Sequence, residues 1–348
     1  MKLMKTEEAV GQVLCHDITQ IIPGVTKDAV FRKGHIITKE DIPVLLSVGK
    51  EHIYIWEKDE HMLHENEAAQ ILYEMCQNEH MHPSDVKEGK IELIADCDGL
   101  FKVDREKLRK VNSLGEMMIA TRHGNTFVKK GDKLAGTRII PLVIEKEKME
   151  RAKEICNDGS ILEIRPLQPK KAAILTTGSE VYHGRIQDKF TPVLVEKLKE
   201  YGSEVIFHEI YDDDHEAITK GCLSAIEQGA EIVLCTGGMS VDPDDKTPLA
   251  IKNTGADIVS YGAPVLPGAM FMLAYYQVTE GENPRTVAIM GLPGCVMYAK
   301  RTIFDLVLPR VMADDQVTAE ELAALGQGGL CLNCPVCSFP NCGFGKGV

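Results

Sequence analysis

The stretch EIVLCTGGMSVDPDDKTP, residues 231–248, runs from an apolar segment through two glycines into three closely spaced aspartates. EIVLCT reads as a strand. Gly237 and Gly238 leave it with no side chain to block a ligand. Their N–H groups, with the N-terminus of a following helix, form an anion site. Thr247 is the expected N-cap of that helix and Pro248 its first residue. Asp242, Asp244 and Asp245 are too close together to ionise without cost, so a cation would make the arrangement worthwhile. Mg²⁺ suits it, because that ion is usually held by one or two carboxylates plus substrate phosphates. Asp242 and Asp244 read as solvated turn residues. Asp245, just ahead of the helix and aimed at the same crevice, is the functional candidate.

The same pattern repeats on either side. AAILTT (172–177), EVIFHEI (204–210) and TVAIMGLPG (286–294) read as further strands. TPVLVEKLKEYG, HEAITKGCLSAIEQG and VMYAKRTIFDLVLP read as the helices between and after them, with Pro192 and Gly202 as punctuation and Asp214 as an N-cap. Strands alternating with helices predict an α/β fold, a doubly wound and mostly parallel sheet with right-handed crossovers. Loops at the C-terminal ends of such strands share one crevice, where ligands bind. Four Gly- and Asp-bearing loops qualify, starting at residues 176, 211, 236 and 291. Asp213, at a strand end, and Asp188, just before a helix, are the further acidic candidates.

Composition narrows the function. The chain has 348 residues and a formal net charge of −13, which disfavours broad binding to nucleic acid phosphates. No run approaches the roughly 18 apolar residues of a membrane span, and the N-terminus has no apolar signal region. Eleven cysteines in a chain without that signal point to thiols or metal ligands. A cytoplasmic protein is expected. The common nucleotide-binding glycine motifs are absent.

Four segments are expected: 1–58, 59–165, 166–310 and 311–348. The first holds a helix over residues 39–48 and a strand ending at Trp56. The second is helical, then β-rich from residue 90 to 145, with RHGNTF as a tight hairpin and an exposed helix ending at Gly159. RPLQPKK (165–171) reads as a linker into the α/β domain.

The spacing TTGSE, GRIQD, YDDD, TGGMSV, PG and LPG, over roughly residues 170–310, resembles the molybdopterin-binding domain of molybdenum cofactor biosynthesis proteins. FRKGHIITKEDIPVLLSVGKEHIYI also resembles the segment preceding that domain in molybdopterin molybdenumtransferases. The resemblance implies an Mg²⁺-dependent protein that binds molybdopterin or its adenylate and inserts molybdate with release of AMP, as an expected homo-oligomer. By position it assigns Gly178 and Glu180 to the first binding loop, with Asp188 and Asp213 as catalytic candidates. Gly237, Gly238, Ser240 and Asp245 fall in the central loop, and Pro267, Gly268, Pro293 and Gly294 in the later ones. Ser179 stands where the transferases usually carry Asp, and Cys295 where they usually carry Asn. DKTP is closer to the adenylyltransferase version of that loop, and no C-terminal β-domain follows. A non-catalytic carrier or sensor, or a nucleotide-diphosphate hydrolase on the same fold, are the alternatives.

The tail CLNCPVCSFPNCGFGKGV carries Cys331, Cys334, Cys337 and Cys342 in a C-x₂-C-x₂-C-x₄-C run. Structural zinc sites more often use two separated C-x₂-C pairs. Three cysteines in succession at this spacing favour an iron–sulfur cluster over zinc. Gln327, Gly328 and Gly329 read as a hinge before the tail, leaving the core to fold without it. His61, His64, His80 and His82 read as solvated histidines on a polar helix rather than ligands. Lys129, Lys130, Lys133 and Arg138 read as the exposed faces of a hairpin rather than as local positive charge for phosphates.

Overall fold

A computed structural model describes residues 2–22, 26–55, 59–279 and 284–347. Contacts divide the chain into two units, one of residues 1–96, 103–122 and 130–163, the other of residues 97–102, 123–129 and 164–348. Two short pieces of the N-terminal half therefore belong to the second unit, a division that no boundary along the chain reproduces.

The second unit is built on six strands: β1 (Lys171–Thr177), β2 (Glu204–Tyr211), β3 (Ile232–Thr236), β4 (Asp257–Tyr261), β5 (Met272–Val278) and β6 (Arg285–Leu292). Their order across the sheet is β2-β1-β3-β6-β5-β4. β1 pairs in parallel with β2 and β3, and β3 with β6. β5 runs antiparallel to both β6 and β4. The expected α/β sheet is present, with β4 and β5 added as an antiparallel edge that the sequence reading missed.

Helices cover both faces. Ala172, Ile174, Ile232 and Leu234 face one core, shared with Leu194 and Leu198 of α1 (Phe190–Lys199) and Phe304, Val307 and Leu308 of α4 (Ile303–Met312). Their sequence neighbours Ala173, Leu175, Val233 and Cys235 face the other, with Ile218, Cys222 and Ala225 of α2 (His215–Glu227) and Ile251 of α3 (Thr247–Asn253). Burial on both faces is why these strands are apolar without alternation.

Helix starts differ from expectation in two places. α1 begins at Phe190, so Pro192 lies inside the first turn rather than opening it. The expected helix over residues 296–309 is a 3₁₀ turn, Gly294–Met297, followed by α4. A capping box between Thr302 and Asp305 restarts the helix, each side chain bonding the other's backbone amide. α2 is capped by Asp214, whose carboxylate accepts from the Glu216 and Ala217 amides as expected.

Residues 165–171 are not a free linker. Gln168 N–H donates to Met312 O at 2.7 Å, Lys170 N–H donates to Ser203 Oγ at 3.0 Å, and Arg165 pairs with Asp315 at 2.7 Å. The tail is not hung on a hinge either. Leu266 N–H donates to Gly329 O and Cys331 N–H to Leu266 O, both at 2.8 Å. Phe344 is 4% exposed and belongs to the core shared by α1 and α4.

In the first unit, Lys2–Lys5 pairs with His52–Ile55, and Ile18–Ile22 pairs with Thr26–Phe31. The helix expected over residues 39–48 spans Asp41–Ser47 and packs Leu45 into a small core with Leu14, Ile18 and Ile53. Trp56 lies outside the described residues. A four-stranded sheet follows, in the order Met81–Pro83, Lys90–Ala95, Lys133–Ile139, Met117–Thr121. RHGNTF is not a hairpin. Met117–Thr121 pairs within that sheet, whereas Thr126–Val128 pairs with Gly99–Phe101 in the second unit.

His64 is not a solvated histidine. It is 2% exposed and caps the helix Glu65–Cys76, with Nδ1 accepting from the Asn66 amide at 3.2 Å. Nε2 lies 2.9 Å from Cys15 O, so one ring serves two backbone groups. Lys133 pairs with Glu92 at 2.6 Å on the exposed side of its sheet.

Candidate functional site

The registers of the parallel strands place their ends together. Thr177 is opposite Tyr211, Thr176 opposite Thr236, and Thr236 opposite Leu292. The loops that follow β1, β2, β3 and β6 therefore leave from one edge. Met272 is opposite both Gly291 and Tyr261, so the β4–β5 connection carrying Pro267 and Gly268 reaches the same edge. The antiparallel strands thus deliver a fifth loop to it.

Gly178 has φ +131° and no atom within 4 Å of where a Cβ would stand. Its N–H donates to Tyr211 O at 3.1 Å, and Ser179 N–H donates to Asp213 Oδ2 at 3.0 Å. The first and second loops are thereby joined, and one Asp213 oxygen is committed to that joint. Glu180 is exposed.

Gly237 and Gly238 have φ +86° and +54°. A Cβ on Gly237 would stand 2.1 Å from Thr177 O, and one on Gly238 2.8 Å from Thr247 Oγ1. Beneath them Thr177 Oγ1 donates to Thr236 O at 3.1 Å and lies 2.9 Å from Thr247 Oγ1. Thr177, Thr236 and Thr247 are all buried, and Thr236 Oγ1 is among the buried atoms with no hydrogen-bond partner. Thr247 is the first residue of α3 rather than its cap, and its amide is taken by Gly238 O at 3.2 Å. α3 is only seven residues long. The helix is thus too short to offer an anion site of its own, and the glycine loop is the candidate.

Two residues that sequence reasoning missed hold this loop. Tyr261, at the end of β4, donates its hydroxyl to Met239 O at 2.9 Å and lies 3.3 Å from Ser240 O. Burial, then the charge of Asp245, raises its pKa, so the phenol keeps the proton that it donates. Met239 is buried over Gly291, where a Cβ would lie 2.5 Å from its Sδ. No local motif marks Tyr261, because the strand that positions it was itself unread.

The aspartates differ in what they have left to offer. Asp188 Oδ1 accepts from the Phe190 and Thr191 amides at 2.8 and 3.1 Å. Its Oδ2 accepts from the Thr176 and Thr191 hydroxyls at 3.0 and 2.5 Å, with His208 Nε2 at 3.5 Å. Burial pushes its pKa up, but these donors outweigh burial and hold the carboxyl below its usual value. Both Asp188 oxygens are thus taken, one of them by the first two amides of α1. Asp245 is half-buried, and one oxygen accepts a single long bond, 3.3 Å, from the Asp242 amide. Asp242 and Asp244 are exposed.

No three His, Cys, Asp or Glu side chains among the described residues are grouped so as to hold a metal ion. The donors therefore do not fit a magnesium ion bound by Asp188, Asp213 and Asp245 together. They fit one held mainly by ligand oxygens, with Asp245 as the protein's carboxylate, the usual manner for that ion.

The later loops play unequal parts. Gly268 has φ +132°, and a Cβ there would meet Ile303 Cγ2 at 2.4 Å, so its lack of a side chain serves packing on α4. Pro293 is buried, whereas Gly294 is exposed with nothing within 4 Å of its Cβ position. His61, His80 and His82 join no metal group, and His82 pairs with Asp96 at 2.5 Å. No helix among the described residues is long and apolar enough to cross a membrane.

Residues 173–313 match a family model described as a probable molybdopterin binding domain, and residues 3–57 match a domain of unknown function. A molybdopterin adenylyltransferase of Pyrococcus furiosus is 28% identical over 137 residues, 37% of this chain and 80% of that protein. A CinA-like protein of Mycobacterium tuberculosis is 34% identical over 77 residues, 22% of this chain, which spans only 18% of that relative. Among solved structures, the tungsten cofactor synthesizing protein MoaB of Pyrococcus furiosus aligns with 37% of this chain and 84% of its own. The TM-score is 0.31 and the identity 23%. A molybdenum cofactor biosynthesis protein of the same organism aligns with 90% of this chain and 63% of its own, with a TM-score of 0.26 and 13% identity.

Proposed function

We propose that residues 173–313, which match a family model described as a probable molybdopterin binding domain, bind molybdopterin or its adenylate at the loop edge and support molybdate insertion with release of AMP. The observation that carries this reading is the convergence of the Gly178, Gly237–Gly238 and Gly294 loops on one edge, with Asp245 beside the central one. The glycine amides would receive the anionic end of the ligand. Tyr261 and the Thr177–Thr247 pair hold those amides in place, so binding need not order the loop first. Asp245 would hold magnesium against the ligand's phosphates, and the ion would neutralise charge building on the leaving phosphate. Asp188 and Asp213 act as positioning residues, the first by holding the first amides of α1 and the second by fixing Ser179.

A second reading, adenylyl transfer to molybdopterin, is favoured by the DKTP sequence after the glycine loop and by the adenylyltransferase relative. One pair of assays separates the two. Molybdate-dependent AMP release from adenylylated molybdopterin supports insertion, and pyrophosphate release from ATP with molybdopterin supports transfer. Binding without either reaction would make the chain a carrier and would refute both readings.

A further inference from the structure

We propose that the C-terminal tail holds an iron–sulfur cluster on Cys331, Cys334, Cys337 and Cys342, in a cavity of the second unit beside the Leu266–Gly268 loop. All four cysteines line a single cavity of about 420 Å³, and none is in a disulfide. The tail that carries them is fixed at several points. Cys331 and Gly329 bracket Leu266 with two backbone hydrogen bonds of 2.8 Å. Lys300 Nζ donates to Cys334 O at 3.2 Å and to Pro335 O at 2.9 Å, pinning the middle of the run. Arg301 lies 5.1 Å from the Phe339 ring centroid. Beyond Cys342, Phe344 is buried in the core, and Gly345 packs so closely on Leu306 that a Cβ would stand 2.3 Å from it.

The spacing of the four cysteines selects the occupant. A single zinc ion draws four sulfurs to about 2.3 Å from one point. A polynuclear cluster instead spreads its ligand positions over several metal atoms, and all four cysteines line the one cavity. The succession of three cysteines at x₂ spacing is also that of iron–sulfur ligand runs. A cluster on four thiolates is anionic, and Lys300 and Arg301, which line the same cavity, supply opposing charge.

The inference does not depend on molybdopterin binding, and its test uses no pterin. The 348-residue chain, purified anaerobically, is reconstituted with a mixture of ferric and ferrous iron and sulfide and then desalted. The expected result is iron and acid-labile sulfide retained in equal amounts, with visible charge-transfer absorption that bleaches on reduction by dithionite. Cys334→Ser and Cys337→Ser replace exposed thiols, so they should keep the far-ultraviolet circular dichroism of the parent while losing the bound iron and sulfide. Cys156→Ser, outside the cavity, should retain both. A chain that holds one zinc and no sulfide would overturn the proposal. So would a folded chain that holds no iron, or Cys337→Ser retaining as much iron and sulfide as the parent.

Discussion

Gly237 lies against Thr177 so closely that a Cβ would stand 2.1 Å from the Thr177 carbonyl oxygen. The contact joins the ends of β1 and β3 at the point where the strand order reverses, because β2 lies on one side of β1 and β3 on the other. Ligand crevices in open α/β sheets form at such a reversal.

Gly237→Ala should therefore be costly twice over. Its φ of +86° is strained for any other residue, and the clash is with backbone, which cannot rotate away. A loss of about 1–3 kcal/mol from the strain alone is expected, read as a lower denaturant midpoint, together with lost ligand binding. Gly294→Ala, with open space around its Cβ, should leave stability unchanged.

Asp188 should report on pH. Its folded pKa lies below the ordinary carboxylate value of about 3.9, so its carboxylate adds stability above that pH. The contribution is lost as pH falls through the depressed folded value. Asp188→Asn should lower stability at neutral pH and flatten this acid limb, measured by thermal melts from neutral pH down to about pH 3. Asp188→Ala should cost about 1–3 kcal/mol, because it leaves the first amides of α1 without their acceptor.

Asp245→Ala should do the opposite. With one long hydrogen bond, its removal should change stability by no more than about 0.5 kcal/mol. The magnesium dependence of ligand binding should disappear. A variant with the parent's magnesium response would show that another group holds the ion.

Phe344 tests the place of the tail. Its ring is buried with Phe304 and Leu308, so Phe344→Ala should cost about 3–5 kcal/mol. Truncation after Leu325 should lower the melting transition of the second unit for the same reason.

The parallel half of the sheet was readable because Ala172–Thr177 and Ile232–Thr236 are buried on both faces and so are unbroken in sequence. β4 was not, since DIVSY is a partly exposed edge strand with no run of buried residues. Missing it hid Tyr261 and the reason that Pro267–Gly268 reaches the site. Asp214 was visible as a cap because Asp commonly serves there, whereas His64 was not, because histidine is not among the favoured caps. The acidic candidates were found by position, but which of them is saturated depends on donors distant in sequence, such as Thr176 for Asp188. The pairing of Thr126–Val128 with Gly99–Phe101 likewise has no local signal.

The most direct test is calorimetric titration of the intact, folded chain with molybdopterin, with and without magnesium. Saturable one-site binding, strengthened by magnesium in the parent and not in Asp245→Ala, is the predicted result. A chain with a normal melting transition that takes up no molybdopterin under either condition would contradict the assignment of the loop edge.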